Sequence, residues 1–147
     1  MVDDFICEWI KRAEREENGS VFQFVCYYIA FNHLYNGEEC CGGSNLSELC
    51  LLKKCVGHIL ETNNFAPYNT LSTDSELLKG VRSERLDRGT NKTKLQNKDV
   101  EELFTSIYYV RCNLFHGSKS MYSERNKKLV IESCKVLRSL FDTLNKT

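Results

Sequence analysis

Residues 99–116 read DVEELFTSIYYVRCNLFH, and the spacing of their apolar side chains decides the fold class. On a wheel turning 100° per residue, with Val100 at zero, Leu103, Phe104, Ile107 and Leu114 fall at about 300°, 40°, 340° and 320°. That is one narrow stripe, the mark of an amphipathic helix facing a core. Working outward, the same period recurs on both sides. Asp3 to Glu17 carries Phe5, Trp9 and Ala13 four apart with Ile6 and Ile10 beside them, and Asn18-Gly19 stops it. Ser20 caps a second helix, Val21 to Tyr35, apolar on nearly every side and so expected in the middle of the fold. Residues 46–61 turn Leu49, Leu52, Val56 and Leu60 inward. Ser123 to about Asn145 buries Val130, Cys134, Leu137, Phe141 and Leu144. Between these, Thr73-x-x-Glu76 reads as a capping box for a short helix around Leu77 and Leu78.

No strand pattern and no repeat stands out. One Pro and eight Gly in 147 residues leave little material for the turns of a β-sandwich. The expectation is one all-α domain spanning 1–147, a helical bundle. The first segment is acidic where a secretory leader would be basic. The longest apolar run, Val21 to Phe31, is shorter than the ~18 residues of a membrane helix. A cytoplasmic protein with no membrane partner is the default expectation. Lys plus Arg equal Asp plus Glu at 20 each, but unevenly placed. Residues 1–78 carry 5 basic and 12 acidic side chains, residues 79–147 carry 15 and 8. An anion would dock on the second half, where 79–98 forms a long basic stretch.

Eight cysteines ask for an account. Cys7, Cys26, Cys112 and Cys134 fall inside helical patterns, where free Cys acts as a small hydrophobe. Cys40, Cys41, Cys50 and Cys55 lack any CxxC pair. Two cysteines five apart on a helix point roughly 140° from each other and chelate badly. Reduced thiols, no metal and no cofactor are expected.

One residue breaks the stripe. Arg111 falls at about 20°, in its middle, where a guanidinium is costly without partners or a cleft. A snorkelling stem with the charge in water is the plain reading. His116 follows one turn on, chased by the helix-ending Gly117. Arg111 and His116 point about 140° apart on a straight helix, so one helix cannot focus both on one atom. Two copies about a two-fold axis can, which favours a site at or near a homodimer interface. Such a pair suits phosphodiester cleavage. The imidazole handles the proton of a ribose 2′-OH or of the leaving oxygen, and the guanidinium meets charge building on phosphate. The substrate would then be RNA, which carries its own 2′-nucleophile. Asn113 could orient the imidazole or the substrate, and Lys119 could contact the RNA backbone. Asn32, on the second helix, reaches toward the Arg111 stripe if the two helices pack. Asn32 and His33 themselves are expected to be a buried polar pair satisfied locally.

Residues 108–119, YYVRCNLFHGSK, resemble the Arg-x4–6-His signature of the HEPN superfamily, and residues 29–35, IAFNHLY, resemble the helix preceding it in one prokaryotic branch. The resemblance implies an all-α, up-and-down bundle of four to five helices that dimerises and, often, a metal-independent endoribonuclease of toxin–antitoxin, phage-defence or RNA-processing systems. Arg111 and His116 would be its catalytic pair, with Asn113 assisting. The family prefers Asn, Asp or His directly after the Arg. Here Cys112 holds that place and joins Lys119 and Asn32 as an expected substrate contact. An antitoxin or nucleotidyltransferase partner is also implied. However, the Tyr that such a partner modifies, two residues beyond the His, is replaced by Ser118. Two other readings stay open: a non-catalytic module of the same kind binding RNA, a nucleotide or a protein, and a cysteine-based redox or metal-responsive regulator.

Overall fold

A computed structural model describes residues 2–37, 46–72, 74–79, 97–116 and 123–145, and within 97–116 the side chains of 99–115. Six α-helices and one 3-10 turn are present among the described residues, with no strand. They are α1 (Asp4–Arg15), α2 (Val21–Tyr35), α3 (Glu48–Thr62), the 3-10 turn Pro67–Thr70, α4 (Glu76–Lys79), α5 (Asn97–His116) and α6 (Glu124–Asn145). The five long helices are those expected from the sequence.

Local chemistry sets their ends. Asp3, Ser20 and Ser47 each accept a bond from a backbone N–H in the first turn that follows, and Ser123 accepts from the Asn126 N–H. Thr73 lies outside the described residues. At α4 the capping oxygen comes from Ser75, which accepts from the Leu78 N–H at 3.2 Å. A far partner reinforces this end. The buried Glu132 carboxylate of α6 accepts from the N–H groups of Glu76 and Leu77 at 3.1 Å and from the Ser75 hydroxyl. A carboxylate buried this deeply is tolerable because three donors satisfy it.

Helix α2 runs through the centre and packs against α1, α3 and α6. Its Phe24, Tyr27, Phe31 and Tyr35 are fully buried and meet Leu103, Phe104 and Ile107 of α5, Leu52, Val56 and Ile59 of α3, and Leu137, Leu140 and Phe141 of α6 in one core. These four aromatic residues are therefore core, as their spacing suggests, whereas Phe22 of the same helix is exposed. Gln23, the polar interruption of α2, is also fully buried. It accepts from the Gly19 N–H at 2.8 Å and donates to the Ala13 carbonyl at 3.1 Å, so it stitches the turn between α1 and α2. Gly19 takes φ +76°, a left-handed conformation, and a Cβ there would come 2.8 Å from Ile131 Cγ1. Both facts require glycine.

Three expectations need correction. Phe5 is exposed, and the inward face of α1 is Ile6, Ile10 and Ala13. His33 is not buried: it lies exposed at the end of α2, its Nε2 2.8 Å from Asp3 and its ring 4.3 Å from Phe5. Leu34 and Tyr35 beside it enter the core while His33 faces outward, so the two rings pack on each other at the surface. On α3 the buried face is turned toward Cys55 and Ile59, leaving Leu49 and Leu60 half-buried. No helix of the described residues is long and apolar enough to cross a membrane.

Candidate functional site

Arg111 is where the sequence places it, on the inward-leaning side of α5, and it is neither snorkelling nor alone. Its side chain is 28% exposed, and its Nη1 donates to both carboxylate oxygens of Glu48, at 3.2 and 3.3 Å. The guanidinium carbon lies 5.4 Å from the centre of the Tyr28 ring and 5.7 Å from that of Phe115, within cation–π range. Burial alone would depress the charge of Arg111. The Glu48 carboxylate, helped by the Tyr28 and Tyr35 phenols, more than offsets this, and the pKa is held above the ordinary value.

Glu48 in turn is fixed by α2. Tyr28, Asn32 and Tyr35 stand four and three residues apart, on one helical face. Tyr35 donates its hydroxyl proton to Glu48 Oε1 at 2.5 Å, and Asn32 Nδ2 donates to the same oxygen at 3.0 Å. Asn32 Nδ2 also donates to the Tyr35 oxygen at 2.9 Å. Since the one Tyr35 proton is committed to Glu48, the 3.1 Å contact between the two phenols has Tyr28 donating. Burial pushes both phenols well above the usual tyrosine range, so they remain donors. Three helices thus converge on one cation: α5 supplies it, the first turn of α3 supplies the carboxylate, and α2 anchors the carboxylate.

Beside this assembly opens a cavity of about 180 Å³. From α2 it is lined by Phe24, Val25, Tyr28, Ile29 and Asn32, and from α5 by Arg111 and Phe115. Phe115 is 63% exposed at its mouth. The cleft is therefore aromatic and apolar, with one cation and one amide in its wall. A larger hollow of about 650 Å³ lies elsewhere, where Phe22 and Ile131 face the backbone of the turn 17–20. It offers apolar area rather than converging reactive groups, and the smaller cleft is the better candidate site.

The structure distributes the remaining sequence-chosen residues unevenly. Asn32 joins Arg111 in the cleft and reaches it through Glu48. Cys112 is a half-buried free thiol bonded to the Tyr108 phenol, whose pKa is raised by that bond first and by burial second. Asn113 is on a different side of α5. It borders a crevice of about 10 Å³ against Asn126 and Leu129 of α6, room for at most a single water. His116 closes α5, but its imidazole lies outside the described side chains, and Lys119 and most of the basic stretch 79–98 lie outside the described residues. Cys40 and Cys41 do too. Of their expected companions, Cys50 is exposed and Cys55 buried, as residues five apart on a helix should be. No group of three or more His, Cys, Asp or Glu side chains among the described residues is placed to hold a metal.

Glu48 is the residue that sequence reasoning missed. An acid in the first turn of a helix usually just faces solvent and complements the helix dipole. The available signal was indirect: a guanidinium in an apolar stripe demands a counter-charge, and Tyr28, Asn32 and Tyr35 put polar tips on one face of the most apolar helix. Compared with family models, curated proteins and solved structures, the chain matches none of them.

Proposed function

We propose that this protein is a metal-independent endoribonuclease of the HEPN type, acting as a homodimer with Arg111 and His116 as its catalytic pair. The observation that carries the reading is that Arg111 is held charged in the wall of an aromatic cleft, on the helix that His116 closes. A cation fixed beforehand costs no reorganisation when negative charge builds on a phosphate. An imidazole with a pKa near neutrality takes the 2′-OH proton, and the ribose oxygen attacks the adjacent phosphorus. Protonation of the departing 5′-oxygen completes the cut. Atoms balance without water: one fragment ends in a 2′,3′-cyclic phosphate and the other in a 5′-hydroxyl. The partner copy brings its own His116 toward Arg111, since a single helix points the two apart. A role in toxin–antitoxin or defence systems, with an antitoxin partner, fits this activity.

The second reading, a non-catalytic module that binds RNA or a nucleotide, is favoured by Glu48, which already neutralises part of the Arg111 charge, and by Cys112 in the place where the family prefers a polar residue. One assay separates them. In buffer containing a chelator, a labelled RNA is cut by the wild type, while His116→Ala and Arg111→Ala each lose about 100-fold or more. Binding without cutting by the wild type supports the module. Equal cutting by all three proteins removes the Arg111 and His116 assignment.

A further inference from the structure

The geometry points to Glu48 as the positioning residue of Arg111: a carboxylate that the chain carries beside its own anion-binding cation, fixing the guanidinium's aim and moderating the charge it offers a phosphate. This inference rests on reading the cleft as a phosphate site. Glu48 takes one edge of the guanidinium, since both of its contacts are to Nη1, and it stands outside the cleft lining while Arg111 is part of it. The carboxylate cannot swing away easily, because Tyr35 and Asn32 both hold Oε1, and Tyr28 backs Tyr35. A guanidinium gripped on one edge and flanked by the Tyr28 and Phe115 rings has lost most of its rotational freedom before any ligand arrives. The same carboxylate, a few ångströms from where a phosphate would sit, weakens that phosphate's attraction.

These two effects oppose each other, and that gives the proposal a signature a merely structural ion pair lacks. Glu48→Gln keeps the shape and an acceptor oxygen for Tyr35 and Asn32 while removing the charge. It is expected to bind a fluorescent RNA oligomer roughly three- to tenfold more tightly at low salt, a gain that fades as salt screens the site. Where turnover is measured, KM and kcat fall together, kcat by about tenfold. A structural pair would instead lower the melting temperature and leave affinity unchanged or weakened. In wild-type protein carrying ¹⁵N-arginine, the gripped guanidinium should show separate, slowly exchanging Nη signals for Arg111.

The outcomes divide cleanly. Unchanged or weaker oligomer binding by Glu48→Gln overturns the proposal, as does a single averaged Nη signal in the wild type, a measurement that needs neither RNA nor a folded variant. Tighter binding by the variant with no cutting by any form upholds the positioning role and overturns the nuclease reading. Cutting by the wild type with affinity and turnover untouched in the variant does the reverse.

Discussion

Arg111 and Arg138 are both half-buried arginines on helices that face the core, and they differ in what surrounds them. Arg138 of α6 donates from Nε to the Tyr27 hydroxyl and from Nη2 to Asn18 Oδ1, both at 3.1 Å, and lies 5.9 Å from the centre of the Tyr27 ring. Asn18 also accepts from Gln23, so the whole set belongs to the stitch between α1 and α2. Its partners are neutral, and its groups close on one another. Arg111 has a charged partner behind it and a cleft in front. A buried cation that satisfies neutral groups ties helices together, whereas one matched to a carboxylate beside an open cavity can also meet a ligand.

Substitution of each arginine should separate these roles sharply. Arg111→Ala should cost two or more orders of magnitude in RNA cleavage, and about 1–2 kcal/mol in stability, since the Glu48 left without its partner is about a third exposed. Arg138→Ala should leave cleavage within about twofold while losing about 1–2 kcal/mol, read from the denaturant midpoint. Similar activity losses in both variants would erase the distinction.

The next effect is on the stitch itself. Gln23→Ala removes the acceptor of the Gly19 N–H and one of the two donors to the Ala13 carbonyl, which still accepts from the Glu16 N–H, and chemical denaturation should show a loss of about 1–2 kcal/mol with the Arg111 cleft still able to bind oligomer. Gly19→Ala should cost about 1–2 kcal/mol, through its left-handed φ and the approach to Ile131. A neutral result at Gly19 would mean that the turn relaxes freely.

The smallest effect is set by pH. The Ile6 backbone N–H bond, and after it the His33 ring, hold the Asp3 carboxyl below its ordinary pKa. The stabilisation is therefore complete above the unfolded carboxyl's pKa, about 4, and is lost as pH falls through the lower folded value. Melting temperatures measured from pH 5 down to pH 2 should fall less steeply in Asp3→Asn, which still caps α1, than in the wild type. Parallel curves would deny Asp3 its part in the acid response.

What was legible in the sequence follows the range of the interactions. The ends of α2 and α6 were readable because Ser20, Ser123 and the apolar period act within a turn or two. Arg111 was readable as an anomaly, since the wheel alone shows a cation in an apolar stripe. Its partner was not, because Glu48 is 63 residues away in sequence and only the packing of α3 against α5 brings it near. The surroundings of Asn113 were hidden for the same reason. The wheel gave its direction but not the fact that α6 covers that side. Phe5 and His33 show the converse limit: an apolar pattern does not say which positions at the edge of its buried face are left to solvent.

The most direct test concerns the chemistry. An RNA oligomer and its all-deoxy counterpart, incubated with the wild-type protein in excess chelator, can be compared by mass spectrometry of the products. Cleavage of the RNA alone, giving 2′,3′-cyclic phosphate and 5′-hydroxyl ends that vanish with His116→Ala, is the predicted result. An intact RNA, equal cutting of the DNA, or 5′-phosphate ends would contradict the account.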